Sequence, residues 1–323
     1  MSDSPARAEL LEDSGEAALS DQFFRSRPFL DAEGVTHTLR IESDDSALVA
    51  PLIVRAIGDG PDRDAISPYG YPGLVPAPIR SSSRIPGGSA NRPLDPAAID
   101  FSATGLVSVF LRHTLGESPL AGATERNGVQ ISDPGLDPKS RPSDRRQVRR
   151  NLEAGYELLL VPAAETTAAQ RATFLDLYEQ TMRRTDAAAH YFFGAEYFDR
   201  ILAAERTWLA LALAPGGEPA AASIATVSDG YLHYYLSGSA DSHLRDSPMK
   251  NVVARLVEHS AELGLPLNLG GGISRGDALE EFKRGFANRE QPWQTSEIVC
   301  DRKRYKQLSA GRESTGFFPA YRA

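Results

Sequence analysis

The sequence predicts an α+β fold of mixed β-sheets flanked by helices, and three observations carry that prediction. The second half runs from hairpin-forming strands into a strand–helix–strand–helix order, the pattern of a mixed sheet covered by helices. The first half alternates short apolar strands with long Gly/Pro-rich turns. At 323 residues, with 41% hydrophobic and 24% charged residues, the chain is long enough for two modest globular domains.

Taken in order, the N-terminal stretch "MSDSPARAELLEDSGEAALS" is acidic and rich in small residues, and residues 1–20 read as a partly disordered tail rather than a signal peptide. "ALVAPLIVRAI" (47–57) reads as a buried strand pair or a hairpin edge, and "AISPYGYPGLV" (65–75) as a strand end running into an aromatic, Gly/Pro-rich loop. "DPAAIDFSATG" is expected to be a helix stopped by Gly105, before the strand "LVSVFLR". Residues 120–143 are polar, with one weak strand around Val129. A basic helix "RRQVRRNLEAG", the strand "YELLLV" and a helix from Thr167 to Arg184 follow. A further helix starts near Ala195, and "TWLALALA" and "AAASIATV" flank "PGGEP" as a hairpin. In "GYLHYYLSGS" simple alternation puts Tyr231, His233 and Tyr235 on one face and Leu232, Tyr234 and Leu236 on the other. "SPMKNVVARLVEHSAELG" carries Met249, Val252, Val253, Leu256, Val257 and Leu263 on one helical stripe and stops at Gly264. The strand "PLNLGG" and a helix from Asp277 close the pattern.

A net charge of −8 argues against broad non-specific binding to nucleic acid, DNA included, though not against a local basic groove. The single cysteine, Cys300, rules out an intrachain disulfide framework and fits a reducing cytoplasm. Apolar runs such as "LALALA" (209–214) are too short to span a bilayer, so no membrane insertion is expected. The histidines lack ligand spacing, so no metal is expected.

The segment that most invites a chemical reading is "LNLGGGISRGDALEEFKRGF" (267–286). Three glycines after a short strand demand a sharp bend or a close backbone approach. Asp277 and Glu280 have capping-box spacing. Leu279, Phe282 and Phe286 fall on one helical face, and Lys283 flanks that stripe. A lysine so placed either snorkels to solvent or holds a desolvated ammonium in a cleft. The glycines form neither a P-loop, whose lysine follows directly, nor a dinucleotide fingerprint, where Arg275 would replace the last glycine.

The order "SPYGYPG", "VSVFLRH", "VRRNLEAGYEL", "YLHYYLSGS" and "LNLGGG…DALEEFKRGF", spread over residues 65–304, resembles the Fem-type aminoacyltransferases of the Fem/GNAT-like superfamily. The resemblance implies two tandem GNAT-like lobes, here without a long coiled-coil arm. The expected boundaries are 21–143 for the N-terminal acceptor-side lobe and 144–310 for the donor-side lobe. A tail, 311–323, is expected to return to the first lobe. The resemblance also implies transfer of an aminoacyl group from aminoacyl-tRNA to the amine of a small or peptide acceptor. That acceptor is a peptidoglycan precursor or an antibiotic intermediate, and no cofactor beyond the charged tRNA is needed. Phe282 and Lys283 match the family's phenylalanine–lysine pair, with the lysine stabilising charge during acyl transfer. A cleft between the lobes is expected, in a cytoplasmic monomer or dimer.

Other residues carry paired readings. Tyr69 and Tyr71 either contact an acceptor or form a packed turn, and Arg112 reaches an anion or a structural partner. His113 contacts substrate or is structural, and one tyrosine of the 231–235 strand, with Tyr235 a candidate, lines the site. Gly271, Gly272 and Asp277 are expected beside the donor. "RPSDRRQVRRN" puts five arginines within ten residues, and Arg146, Arg149 and Arg150, with Lys250, are candidates for tRNA phosphate contacts. An acyl-CoA-dependent GNAT enzyme is the alternative. Its phosphate loop would fall on "RDSPMK" (245–250), where Pro248 and Lys250 replace the two glycines and Pro248 removes an N–H donor. A non-catalytic binding module is the third reading.

Overall fold

The computed structural model describes residues 5–80, 93–116, 118–312 and 316–323. The chain divides into two compact units, Met1–Arg126 with Trp293–Ala323, and Asn127–Pro292.

The first unit opens with β1 (Ala6–Leu11), α1 (Arg27–Glu33), β2 (His37–Glu42), β3 (Ala47–Ala56) and β4 (Arg63–Ile66). It continues through β5 (Val75–Pro76), β6 (Ile99–Asp100), β7 (Ser108–Arg112) and β8 (Thr124–Glu125). The second unit contains β9 (Val129–Ser132), α2 (Pro142–Glu153), β10 (Glu157–Pro162), α3 (Ala168–Arg184) and α4 (Ala195–Ile201). There follow β11 (Thr207–Leu213), β12 (Pro219–Ser228), β13 (Tyr231–Ser239), α5 (Met249–Leu263), β14 (Leu267–Gly270), α6 (Ala278–Arg284) and β15 (Arg289–Gln291). The chain then returns to the first unit with β16 (Gln294–Val299) and α7 (Arg302–Leu308).

Among the described residues, unit 1 holds a nine-stranded mixed sheet in the order β6-β1-β2-β3-β4-β7-β16-β8, with β5 on β3. Its core gathers Leu39, Ile41, Leu52, Val109, Leu111 and Ile298. Two expectations fail here. The segment 1–20 is not a disordered tail throughout: Ala6, Ala8 and Leu10 alternate with charged residues, and β1 pairs antiparallel with β2 from Arg7↔Glu42 to Leu11↔Thr38. The helix expected at 95–105 is instead two 3-10 turns, Pro96–Ala98 and Ser102–Thr104, around β6. β6 gains a parallel pairing with β1 and buries Ile99 and Phe101, which outweighs the local helix signal. Gly105 still terminates the segment, at φ 62.

Unit 2 holds a seven-stranded sheet among the described residues, ordered β10-β11-β12-β13-β14-β9-β15, with β13 and β14 parallel. α5 lays its stripe on the sheet, burying Val252, Val253 and Leu256 with Met249, Val257 and Leu263 at its margin. α3 is started by a capping box in which Thr167 and Gln170 satisfy each other's backbone N–H groups. At 17 residues it is the longest helix among those described, so the fold has no long coiled-coil arm. No helix among the described residues is long and apolar enough to cross a membrane.

The unit boundaries differ from those expected at 143 and 310. β9 pairs with β14 and β15, which brings residues 127–143 into unit 2. β16 pairs with β7 and β8, which brings residues 293–310 into unit 1. Strand pairing, invisible in a linear composition, decides both. Residues 316–323 also lie in unit 1, where the Tyr321 hydroxyl meets Ser108 Oγ at 2.7 Å.

Candidate functional site

Lys283 is buried, 8% exposed, and its Nζ donates to the carbonyl oxygen of Gly271 at 2.7 Å. Burial holds its pKa down at about 8, against a smaller opposing pull from the Asp277 carboxylate. An ammonium that is easily discharged, anchored by one of its three N–H donors, is a local cation whose field water screens poorly. Gly270 has φ +76, which favours glycine at the bend, and a Cβ there would stand 3.1 Å from Nζ, so the missing side chain lets the ammonium sit close without adjustment. A Cβ on Gly271 would lie 3.0 Å from the Gly128 carbonyl oxygen of the adjoining chain.

The rest of the turn is organised by two carboxylates. Asp277 caps α6 by accepting from Glu280 N at 2.7 Å, and its other oxygen accepts from Ile273 N at 2.7 Å and Ser274 N at 2.9 Å. These backbone donors hold its pKa below the usual carboxylate value, the Glu280 N–H most strongly. Glu280 does not close the capping box on the N-cap N–H; it accepts from Gly276 N at 2.7 Å. The expected apolar stripe is shorter than its spacing implied. Phe282 and Phe286 pack together at 5.8 Å and join the unit's core, whereas Leu279 is 41% exposed and stays outside it.

α2 secures that last turn. Arg141 N donates to Gly285 O at 2.9 Å, its guanidinium reaches Glu281 O at 2.9 Å, and Asp144 pairs with Lys250 at 2.9 Å. Lys250, a phosphate candidate in the sequence, is thus engaged by a buried carboxylate. Arg146, Arg149 and Arg150 are exposed on α2; Arg149 pairs with Glu153 at 3.7 Å and Arg150 bonds Gln147. Arg150 also lines a cavity of about 570 Å³ with Tyr156, His243, Arg245 and Asp246.

On β13 the alternation is interrupted. Ile224 pairs with Leu236 but Ala225 pairs with Tyr234, so Tyr235 is the extra residue of a bulge. Leu236 therefore does not share a face with Leu232 and Tyr234, and Tyr235 leaves the face of Tyr231 and His233. Tyr235 meets the Tyr197 hydroxyl at 2.9 Å, Tyr231 donates to Gln291 at 2.9 Å, and Tyr234 is packed in the core.

The remaining candidates belong to unit 1. Tyr69 is 42% exposed, and its backbone N–H donates to Glu33. Tyr71 contacts Phe24 and Trp293 edge-on at 5.6 and 5.9 Å. Arg112 donates to Ser67 O at 2.9 Å and lies over Phe110. His113 is fully buried against Ser296 Oγ at 2.8 Å and Ser118 Oγ at 3.2 Å, and burial lowers its pKa to about 4. Sequence reasoning missed Gly128, Asp144, His233 and Asn268. The one available signal was the polar asparagine inside the buried strand "PLNLGG".

Residues 138–284 match the Acetyltransferase (GNAT) domain family. No curated protein sequence matches the chain. Among solved structures it is similar to FemX, at TM-score 0.61 and 11% identity, covering 93% of this chain and 99% of that one. It is also similar to the C-terminal domain of a putative lysylphosphatidylglycerol synthetase from Agrobacterium fabrum, at TM-score 0.58 and 13% identity, covering 90% and 92%. The chain thus has the fold of the Fem-type, GNAT-like acyltransferases, and residues 138–284 are the part that matches the GNAT domain family.

Proposed function

We propose that the protein is an aminoacyltransferase that moves an aminoacyl group from aminoacyl-tRNA to the amine of a small or peptide acceptor. The observation that carries this reading is the buried Lys283 ammonium at the glycine turn. The acceptor nitrogen attacks the ester carbonyl carbon, an oxyanion forms, the ester C–O bond breaks, and the ribose oxygen leaves with the proton the amine gives up. A fixed cation near the developing oxyanion lowers that barrier, and removing one such donor typically slows the reaction about 100- to 1,000-fold. An acceptor α-amine of pKa about 7.7–8.0 is already partly neutral at pH 7, so no strong general base is required.

The Fem-like fold supports a charged tRNA as donor, and Arg146, Arg149 and Arg150 offer an exposed basic face for its phosphates. Tyr69, Tyr71, Arg112 and Tyr235 are the proposed acceptor contacts, with Gly271, Gly272 and Asp277 beside the donor ester and Phe282 seating Lys283; His113, fully buried between Ser296 and Ser118, takes the structural reading. The reaction takes no metal or further cofactor and runs in the cytoplasm, on a natural-product intermediate in preference to a peptidoglycan precursor.

Purified protein incubated with radiolabelled aminoacyl-tRNAs or acyl-CoAs and a panel of amines tests the proposal. Amide product that disappears with RNase, and falls at least about 100-fold in Lys283→Ala, is the expected result. Product made from acyl-CoA that survives RNase overturns the tRNA reading.

A further inference from the structure

The parallel pairing of β13 with β14 runs through Leu232↔Leu267 and His233↔Asn268 and stops there. At that last pair two polar side chains are buried together. His233 is 3% exposed and Asn268 2%. His233 Nε2 lies 3.1 Å from the Ser228 carbonyl oxygen, and its Nδ1 lies 3.1 Å from Asn268 Nδ2. Asn268 Oδ1 accepts from the backbone N–H of Gly270 at 2.8 Å.

The chain of bonds has one self-consistent direction. A carbonyl only accepts, so Nε2 carries the imidazole proton. Nδ1 then accepts from the asparagine NH₂, which leaves Oδ1 for the Gly270 N–H. A second proton on His233 would point a donor at a donor. Burial agrees, lowering its pKa to about 4, so the ring stays neutral at physiological pH.

Gly270 begins the turn whose next carbonyl, that of Gly271, holds Lys283 Nζ. From this geometry we infer that Asn268, oriented by His233, is a positioning residue that fixes the glycine turn and so sets where the Lys283 ammonium stands. The inference rests on the acyl-transfer role of Lys283 for its kinetic consequence, while its structural consequence stands apart from that role. Both residues have buried side chains and act through the turn. They spend two buried polar side chains on one backbone N–H, in a strand where Leu267 and Leu269 supply the core packing. Losing one partner of such a network leaves the other unsatisfied and releases the turn.

Of the charged groups near this turn, Asp277 at the head of the helix acts on Lys283, Glu280 and Arg284 of the same helix pair with each other, Asp144 of α2 stands against Gly285, and Glu290 of β15 stands against Gly128. None of them takes part in the relay. A relaxed turn therefore admits water to the ammonium without changing the nearby charges, and its pKa rises.

The test uses the full chain. Trace acetylation by acetic anhydride across pH, read by mass spectrometry at Lys283, reports that lysine's titration midpoint whether or not a donor is known. In Asn268→Ala the midpoint is expected to rise by about one pH unit or more as water returns. With the donor identified, kcat is expected to fall about tenfold or more while KM holds, because a small misplacement of a catalytic group has that effect. His233→Gln, which offers one donor and one acceptor, should keep both values near wild type, whereas His233→Leu should shift them as Asn268→Ala does. A folded Asn268→Ala with wild-type midpoint and kcat overturns the inference. If that variant does not fold, Asn268→Ser is read by the same two measurements. Should no donor give product, the midpoint alone decides the positioning, and the failure belongs to the proposed function.

Discussion

The carboxylate of Asp144 holds the ammonium of Lys250 at 2.9 Å, and its second oxygen stands 2.3 Å from where a Cβ on Gly285 would fall. The first turn of α2 is thus wedged between the start of α5 and the end of the helix bearing Lys283. Asp144→Ala removes one partner of a mostly buried pair and is expected to lower stability by about 1–3 kcal/mol, because the remaining ammonium loses its counter-charge. Asp144→Asn with Lys250→Met should recover most of that loss. Urea denaturation of the three proteins checks both statements.

Acyl transfer should show a bell-shaped pH dependence centred near pH 8. The rising limb is the acceptor amine losing its proton, at about 7.7–8.0 for an α-amine. The falling limb is Lys283, whose pKa of about 8 discharges the ammonium as pH rises further. In Lys283→Arg the falling limb should vanish below pH 10, since a guanidinium does not titrate there. Initial rates from pH 6 to 10 on both proteins decide it.

The same shift makes Lys283 a burden on stability. Its folded-state pKa, about 8, lies below the ordinary 10.5, so between those values the unfolded chain binds more protons and stability rises with pH. The penalty is complete below pH 8 and gone above about 10.5. Lys283→Met should therefore be more stable than wild type at pH 7 by roughly 1–3 kcal/mol, after allowing for the lost bond to Gly271. The difference should close by pH 10.5. Denaturant midpoints at pH 7 and 10 measure it.

If the arginines of α2 touch tRNA, replacing Arg146 and Arg150 by alanine should flatten the salt dependence of binding. Each lost phosphate contact lowers the slope of log K against log salt by about 0.7–0.9. Lys250→Met should leave the slope unchanged, its charge being already matched by Asp144. Filter binding of tRNA at several salt concentrations separates the two cases.

The parts of this molecule that could be read from the sequence are those governed by neighbours along the chain. The apolar stripe of α5, the Thr167 start of α3 and the glycine-delimited hairpin of β11 and β12 all follow from local periodicity and caps. Lys283 was legible as a choice between exposure and burial, and the contact that settles it runs to Gly271, across the turn. What escaped depends on partners distant in sequence. The tail strand β1 forms only because β2 accepts it, and β6 displaces a helix only because β1 is there to pair with. The β13 bulge inverts which residues share a face, and no alternation rule marks the position of an inserted residue. Asp144 and His233 matter through Gly285 and Asn268, more than 30 residues away in each case.

The assignment of β16 to the first unit sets the order in which the chain can become structured during its own synthesis. Residues 127–292 form an uninterrupted compact unit, whereas β7 of the first unit lacks its β16 neighbour until residues 293–299 emerge. Ribosomes add about 5–20 residues per second and domains generally fold as units. The unit carrying Lys283 can therefore complete while the earlier-made part of the first unit still carries an open strand edge at β7, and unpaired edges of that kind are prone to aggregation in nascent chains.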